Sequence, residues 1–189
     1  LHSDEPDMLI AEEVNVRQGL SRADLVVVDS RLHCYEIKSQ VDTLTRLAGQ
    51  LEDYRCVFEQ VNLVIGVKHL TGVLVGLPSW CGILLANRVG GEVEIESFRA
   101  ASPNLHRDPF ALAQLLWREE ALEILGRHRC LRGVKSKPRE ALWERLAESL
   151  SLEDLGLEVR ETLKARKSTW RATKRRRRRP GQARRGRAA

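Results

Sequence analysis

Two apolar runs lie almost back to back early in the chain, ADLVVV at 23–28 and LHCYEIK at 32–38, and leave only Asp29-Ser30-Arg31 between them. Their β-branched and aromatic content predicts two strands joined as a hairpin. The period then changes. Leu44, Leu47, Leu51, Tyr54 and Phe58 recur at steps of three and four, which predicts a helix over 42–60. VNLVIG at 61–66 is a continuous apolar run, the pattern of a strand buried on both faces. A helix ahead of such a strand implies a crossover connection, and so an α/β layer rather than an all-β or all-α fold.

The rest of the chain extends that frame. EPDMLIAEEV at 5–14 reads as a short helix, and Asn15 to Ser21 as a polar connection. CGILLA at 81–86 and EVEIESF at 92–98, separated by Gly90-Gly91, read as two further strands. After Pro103 the composition turns helical. Asp108 with Pro109 opens one helix, with Leu112, Leu115, Trp117, Leu122 and Leu125 as its apolar content. A second opens at Pro138 and runs to about 150. Ser151 with Asp154 caps a third, which carries Leu155, Val159 and Leu163 on one side. The expected organisation is a core over 1–102, a helical extension over 103–167 and a basic tail, disordered when alone, over 168–189.

Charge is segregated along this chain. Arg171, Lys174, the run Arg175, Arg176, Arg177, Arg178 and Arg179, and Arg184, Arg185 and Arg187 carry ten positive charges with no acid among them. Removing these ten from the formal net charge of +6 leaves residues 1–170 at −4. A polyanion partner is therefore expected at the tail, with Arg175 to Arg179 as the nucleic-acid-binding residues. A second basic cluster, Arg127, Arg129, Arg132, Lys135, Lys137 and Arg139, leads into the helix at Pro138. Cys34, Cys56, Cys81 and Cys130 lack paired spacing and read as reduced packing residues of a cytoplasmic protein. No apolar run reaches the ~20 residues of a membrane span. The chain opens on Leu1 rather than on methionine, which points to sequence upstream.

The chemistry centres on the hairpin. Glu36 and Lys38 are two apart on one strand and leave the same face, while Ile37 points away. If the hairpin is centred on Ser30, facing residue numbers sum to 60 and Asp24 stands opposite Glu36. An even two-residue loop would instead bring Asp24 opposite Ile37 and scatter the group. Two facing carboxylates repel unless a cation lies between them, and an oxygen-lined site suits Mg²⁺ or Mn²⁺. Lys38 beside it would act on a metal-bound water and on the charge of a phosphoryl transition state. A surface ion pair between Glu36 and Lys38 is the alternative.

RADLVVV, YEIKS and the QLEDY of the following helix together resemble the PD-(D/E)xK nuclease superfamily, in particular a bacterial and phage branch with RecB-like motifs. The likeness covers residues 12 to about 100, and more loosely the helices to about 167. It implies a restriction-endonuclease-like mixed sheet flanked by helices, and a nuclease hydrolysing phosphodiester bonds. By the same resemblance Asp24 and Glu36 bind the metal and Lys38 acts on the water. Glu13 takes the place of the additional glutamate carried by the superfamily's first helix. Gln50 and Tyr54 match its QxxxY element, although Tyr54 also lies on the apolar stripe of its own helix. Ala23 stands where the motif has proline. DNA is the expected substrate; a nucleic-acid-binding adaptor that keeps the fold and cleaves nothing is the competing expectation.

Overall fold

The computed structural model describes residues 8–166. Six strands form one mixed sheet in the order of the chain: β1 (Leu9–Val16), β2 (Ser21–Val28), β3 (Leu32–Lys38), β4 (Gln60–Ile65), β5 (Gly82–Val89) and β6 (Glu92–Arg99). β2 runs antiparallel to both of its neighbours, β1 and β3; β3, β4 and β5 run parallel, and β6 turns back antiparallel on β5. The parallel step from β3 to β4 is made through α1 (Leu47–Arg55), as the crossover pattern requires. A short helix, α2 (Leu70–Leu74), lies between β4 and β5. Gly90 and Gly91, with φ of 60° and 94°, close the β5–β6 hairpin, where two successive left-handed residues are needed. The fold class is thus α/β, with a mixed six-stranded sheet flanked by helices.

Four helices follow the sheet: α3 (Pro109–Ala113), α4 (Arg118–Arg127), α5 (Arg139–Ser149) and α6 (Leu152–Ala165). The side chain of Asp108 accepts from Phe110 N, and that of Ser151 accepts from Asp154 N, so both caps form where the sequence predicts them. Their buried faces do not build a separate core. Leu112, Leu125, Trp143, Leu146, Leu155 and Val159 join the same apolar cluster as Val26, Cys34, Leu63 and Ile83 of the strands and Leu51 and Tyr54 of α1. Val27, Tyr35, Val64 and Leu84 form a smaller cluster on the opposite face of the sheet.

Four expectations need correction. Among its described residues, 8–14, EPDMLIAEEV carries no helix: from Leu9 onward it belongs to β1, paired with β2 from Leu9↔Val28 to Val16↔Ser21. Leu, Ala and Glu favour helix intrinsically, but seven backbone pairings with a neighbouring strand override a propensity of a few tenths of a kcal/mol per residue. Glu13 therefore sits on a strand, not on a first helix. The helix expected over 42–60 is confined to Leu47–Arg55, leaving Leu44 and Phe58 to pack from the flanking loops. The first helix after Pro103 is broken into α3 and α4, where the Glu120 carboxylate accepts from Trp117 N at 2.7 Å and starts a new helix. Trp117 consequently leaves the core and stays 55 % exposed, with the Arg166 guanidinium 4.2 Å from its ring centroid. Trp143 is buried. Among the described residues no helix is long and apolar enough to cross a membrane.

Candidate active site

The β2–β3 turn sets the geometry. The Asp29 side chain accepts from Arg31 N at 2.7 Å and meets His33 Nε2 at 3.0 Å, while Asp29 N donates to Arg31 O at 3.1 Å. This side-chain turn fixes an odd, three-residue connection. The register that results, Val28↔Leu32, Val27↔His33, Val26↔Cys34 and Leu25↔Tyr35, is the one whose numbers sum to 60. One further step would set Asp24 beside Glu36, but the backbone ladder ends there. The Asp24 carboxylate takes over, accepting from Ile37 N at 2.8 Å.

The neighbouring ladder is interrupted at the same level. Glu12 pairs with Leu25 and Val14 with Ala23, so Glu13 falls opposite Asp24, and its φ is 55°. Both strands change faces at this step. Leu9 and Ala11 reach the main core before it, Val14 and Val16 after it, although their numbers differ in parity; in β2, Ala23 gives way to Val26 and Val28. A matched irregularity in each strand preserves the register while swinging residues outward. Glu12, Glu13 and Asp24, with Leu25 and Ile37, line the open cleft that results. Glu13 is exposed, and its nearest guanidinium is Arg22, at 3.8 Å.

Glu36 points the other way, under α1, and only 2 % of its side chain is exposed. A carboxylate so buried needs charge and hydrogen bonds to remain ionised. Lys38 Nζ donates to its Oε1 at 2.5 Å and Gln50 Nε2 to the same oxygen at 2.7 Å, while the Tyr54 hydroxyl donates to Oε2 at 2.7 Å. Lys38 Nζ also donates to Gln50 Oε1 at 3.0 Å, which fixes the orientation of the amide. The Tyr54 oxygen lies 2.9 Å from the carbonyl of Arg22, tying the network back to β2. Burial first, then neighbouring Cys34 and Glu36, push the Tyr54 hydroxyl well above the usual tyrosine range, so it stays a donor. Burial followed by the charge of Glu36 likewise holds the Cys34 thiol protonated.

Glu36, Lys38, Gln50 and Tyr54 thus meet in one network, with Asp24 on the adjoining strand and Glu13 one strand further. Arg175, Arg176, Arg177, Arg178 and Arg179 lie outside the described residues. Sequence reasoning missed Glu12 as part of the cleft, although the doublet Glu12-Glu13, which breaks the alternation of β1, is its signal. It also missed Asp53, which receives Arg17 Nη1 at 2.7 Å and Ser21 Oγ at 2.5 Å and so anchors α1 to the β1–β2 turn.

In kind, the oxygen donors of Asp24 and Glu36 suit a hard divalent cation. In arrangement, Glu36 Oε1 already accepts two hydrogen bonds and Oε2 one, so a cation would take the remaining acceptor site of Oε2 or displace Lys38 or Gln50 from Oε1. Among the described residues no three His, Cys, Asp or Glu side chains already converge as a ligand set.

Fold and site together define an α/β protein with a buried carboxylate–lysine network at the antiparallel end of a mixed sheet. The chain belongs to the bacteriophage P4 protein cII family, whose sequence model it matches over residues 2–184. It is similar to protein cII of Enterobacteria phage P4, 28 % identical over 122 residues that make up 65 % of this chain and 46 % of that protein. The chain therefore spans about half the length of that relative. Among solved structures it resembles a protein of unknown function from Silicibacter pomeroyi, with 17 % identity and a TM-score of 0.42 over 70 % of this chain and 85 % of that one.

Proposed function

We propose that this chain is a metal-dependent phosphodiesterase of the PD-(D/E)xK type that cleaves nucleic acid, with DNA as the first substrate to test. The observation that carries this reading is the β2–β3 register. It brings the Asp24 carboxylate onto the backbone N of Ile37, the residue between Glu36 and Lys38, while Lys38 shares the face and the hydrogen-bond network of Glu36. Asp24 and Glu36 would hold Mg²⁺ or Mn²⁺, with Glu13 as the further carboxylate in the row. When bound, the cation would supply an acidified water and positive charge against the scissile phosphate. Lys38 would orient the attacking water and offset the charge that builds on the phosphoryl oxygens. Gln50 and Tyr54 orient Glu36 and Lys38 through their hydrogen bonds.

A second reading, a nucleic-acid-binding adaptor that cleaves nothing, is favoured by one observation: three of the four acceptor sites of Glu36 are taken by donors of its own chain. Cleavage of labelled single-stranded and duplex DNA under Mg²⁺, Mn²⁺ or EDTA separates the two. The nuclease reading expects metal-dependent cutting, lost in Glu36→Ala and Lys38→Ala variants whose circular dichroism remains that of the parent. Binding without cutting under every metal, indifferent to both substitutions, would leave the adaptor.

A further inference from the structure

The loop joining α4 to α5 carries Arg127, Arg129, Arg132, Lys135, Lys137 and Arg139, with no acid between positions 127 and 139. Some of these charges are used locally. Arg127 and His128 meet Glu158, and Arg139 Nη2 donates to Gln18 Oε1 at 2.6 Å. Arg129, Arg132, Lys135 and Lys137 are exposed and have no acidic partner among the described residues. They differ from a solvated charge run in being held in place. Val134 is buried in the core and Leu131 packs against it, so the cations at 129, 132 and 135 project outward between inward apolar anchors.

Two further guanidinium groups brace this backbone. Arg118 Nη2 donates to the carbonyl of Lys135 at 2.9 Å, and Arg145 Nη1 to that of Arg132 at 3.3 Å. Positive charge is therefore concentrated where ordinary folding would disperse it, in a chain whose residues 1–170 are net negative. Such self-repulsion destabilises the free protein and is relieved by a polyanion.

The loop is also connected to the site. Gln18, which receives Arg139, adjoins Arg17 in the β1–β2 turn. Arg17 is bound to Asp53 of α1, the helix that supplies Gln50 and Tyr54.

We propose that the loop from Arg127 to Arg139 is a binding surface for nucleic-acid phosphates, holding the strand on which the Asp24, Glu36 and Lys38 site acts. The proposal rests on the phosphodiesterase reading for its partner. The apolar residues Leu131 and Val134 of the loop pack on the core, so it has nothing to insert into a lipid surface, whereas four exposed cations without acidic partners suit the phosphates of a nucleic-acid backbone.

The test is anisotropy of labelled duplex DNA with the full chain, in EDTA so that nothing is cut, over a salt series. Replacing Arg129, Arg132, Lys135 and Lys137 by Ser should lower the slope of log Kd against log salt by about 3 to 4, at roughly 0.9 per phosphate contact. Lys135→Arg with Lys137→Arg should keep the parent slope. Glu36→Gln, which the phosphodiesterase reading expects to abolish cutting, should keep it too, so failure of that reading leaves this measurement intact. A folded fourfold variant with unchanged slope and affinity would overturn the proposal. So would binding to phosphatidylglycerol vesicles without binding to DNA.

Discussion

An inner strand of the sheet and an edge strand are written in the same alphabet and use it in opposite ways. β3 reads LHCYEIK and β6 reads EVEIESFR, each placing glutamates among apolar residues. In β3 the glutamate is buried and satisfied by three side-chain donors; in β6 Glu92, Glu94 and Glu96 are exposed, along with Val93, Ile95 and Phe98. The difference lies in what the next element supplies. β3 is followed by α1, which brings Gln50 and Tyr54 over Glu36, whereas β6 is an edge strand whose charges stay in water, as edge strands commonly require. An acid in a strand becomes part of a site only when another element delivers its donors.

The largest expected effect is that of Lys38→Ala. It strips the charge partner from a buried carboxylate and should cost about 3 kcal/mol in urea unfolding, the low end for a broken buried pair because 11 % of the Lys38 side chain is exposed. Equal stability of the variant and the parent would mean that β3 and β6 do not differ as described. Tyr54→Phe comes next, at about 1 to 2 kcal/mol, since it leaves Glu36 Oε2 without its hydroxyl donor. Glu94→Gln in β6 should lie within about 0.5 kcal/mol of the parent, and a larger loss would expose an unsuspected role for that edge.

Smallest is the contribution of Glu158. Burial raises its pKa, but the hydrogen bonds and charges of Arg127 and His128 outweigh this and leave it below the ordinary glutamate range. Its folded-state pKa being depressed, its stabilisation is complete above the unfolded value and is lost as pH falls through the folded one. Glu158→Gln should therefore flatten the acid limb of the stability profile below the ordinary glutamate pKa. Solvent screening limits the effect to about 0.5 kcal/mol or less. A profile identical to that of the parent would dismiss this ion pair.

What could be read from the sequence was local. The spacing of two apolar runs allowed a three-residue turn, and the structure takes it, with the register that runs from Val28↔Leu32 to Leu25↔Tyr35 and stops short of Asp24 and Glu36. The caps at Asp108 and Ser151 follow from side chains that bond their own backbone. β1 could not be read, because LIAEE is a helix-forming string whose alternation is broken by Glu12-Glu13, and its strand state is imposed by β2. The exposure of Trp117 was equally hidden: it depends on Glu120 starting a second helix and on Arg166, 49 residues later, covering the ring. At the site, the two-residue spacing on one strand predicted that Glu36 and Lys38 would share a face, and only the resemblance added Gln50 and Tyr54. That they would occupy both oxygens of Glu36 depends on the packing of α1, which no spacing rule conveys.

The account turns on whether Asp24 and Glu36 form a cation site despite that occupation. Titration of the full chain with Mn²⁺, followed by electron paramagnetic resonance, tests this without a substrate. The account predicts one bound Mn²⁺ per chain, displaced by Mg²⁺ and lost in both Asp24→Asn and Glu36→Gln. Absence of bound Mn²⁺, or binding that survives both substitutions, would contradict it.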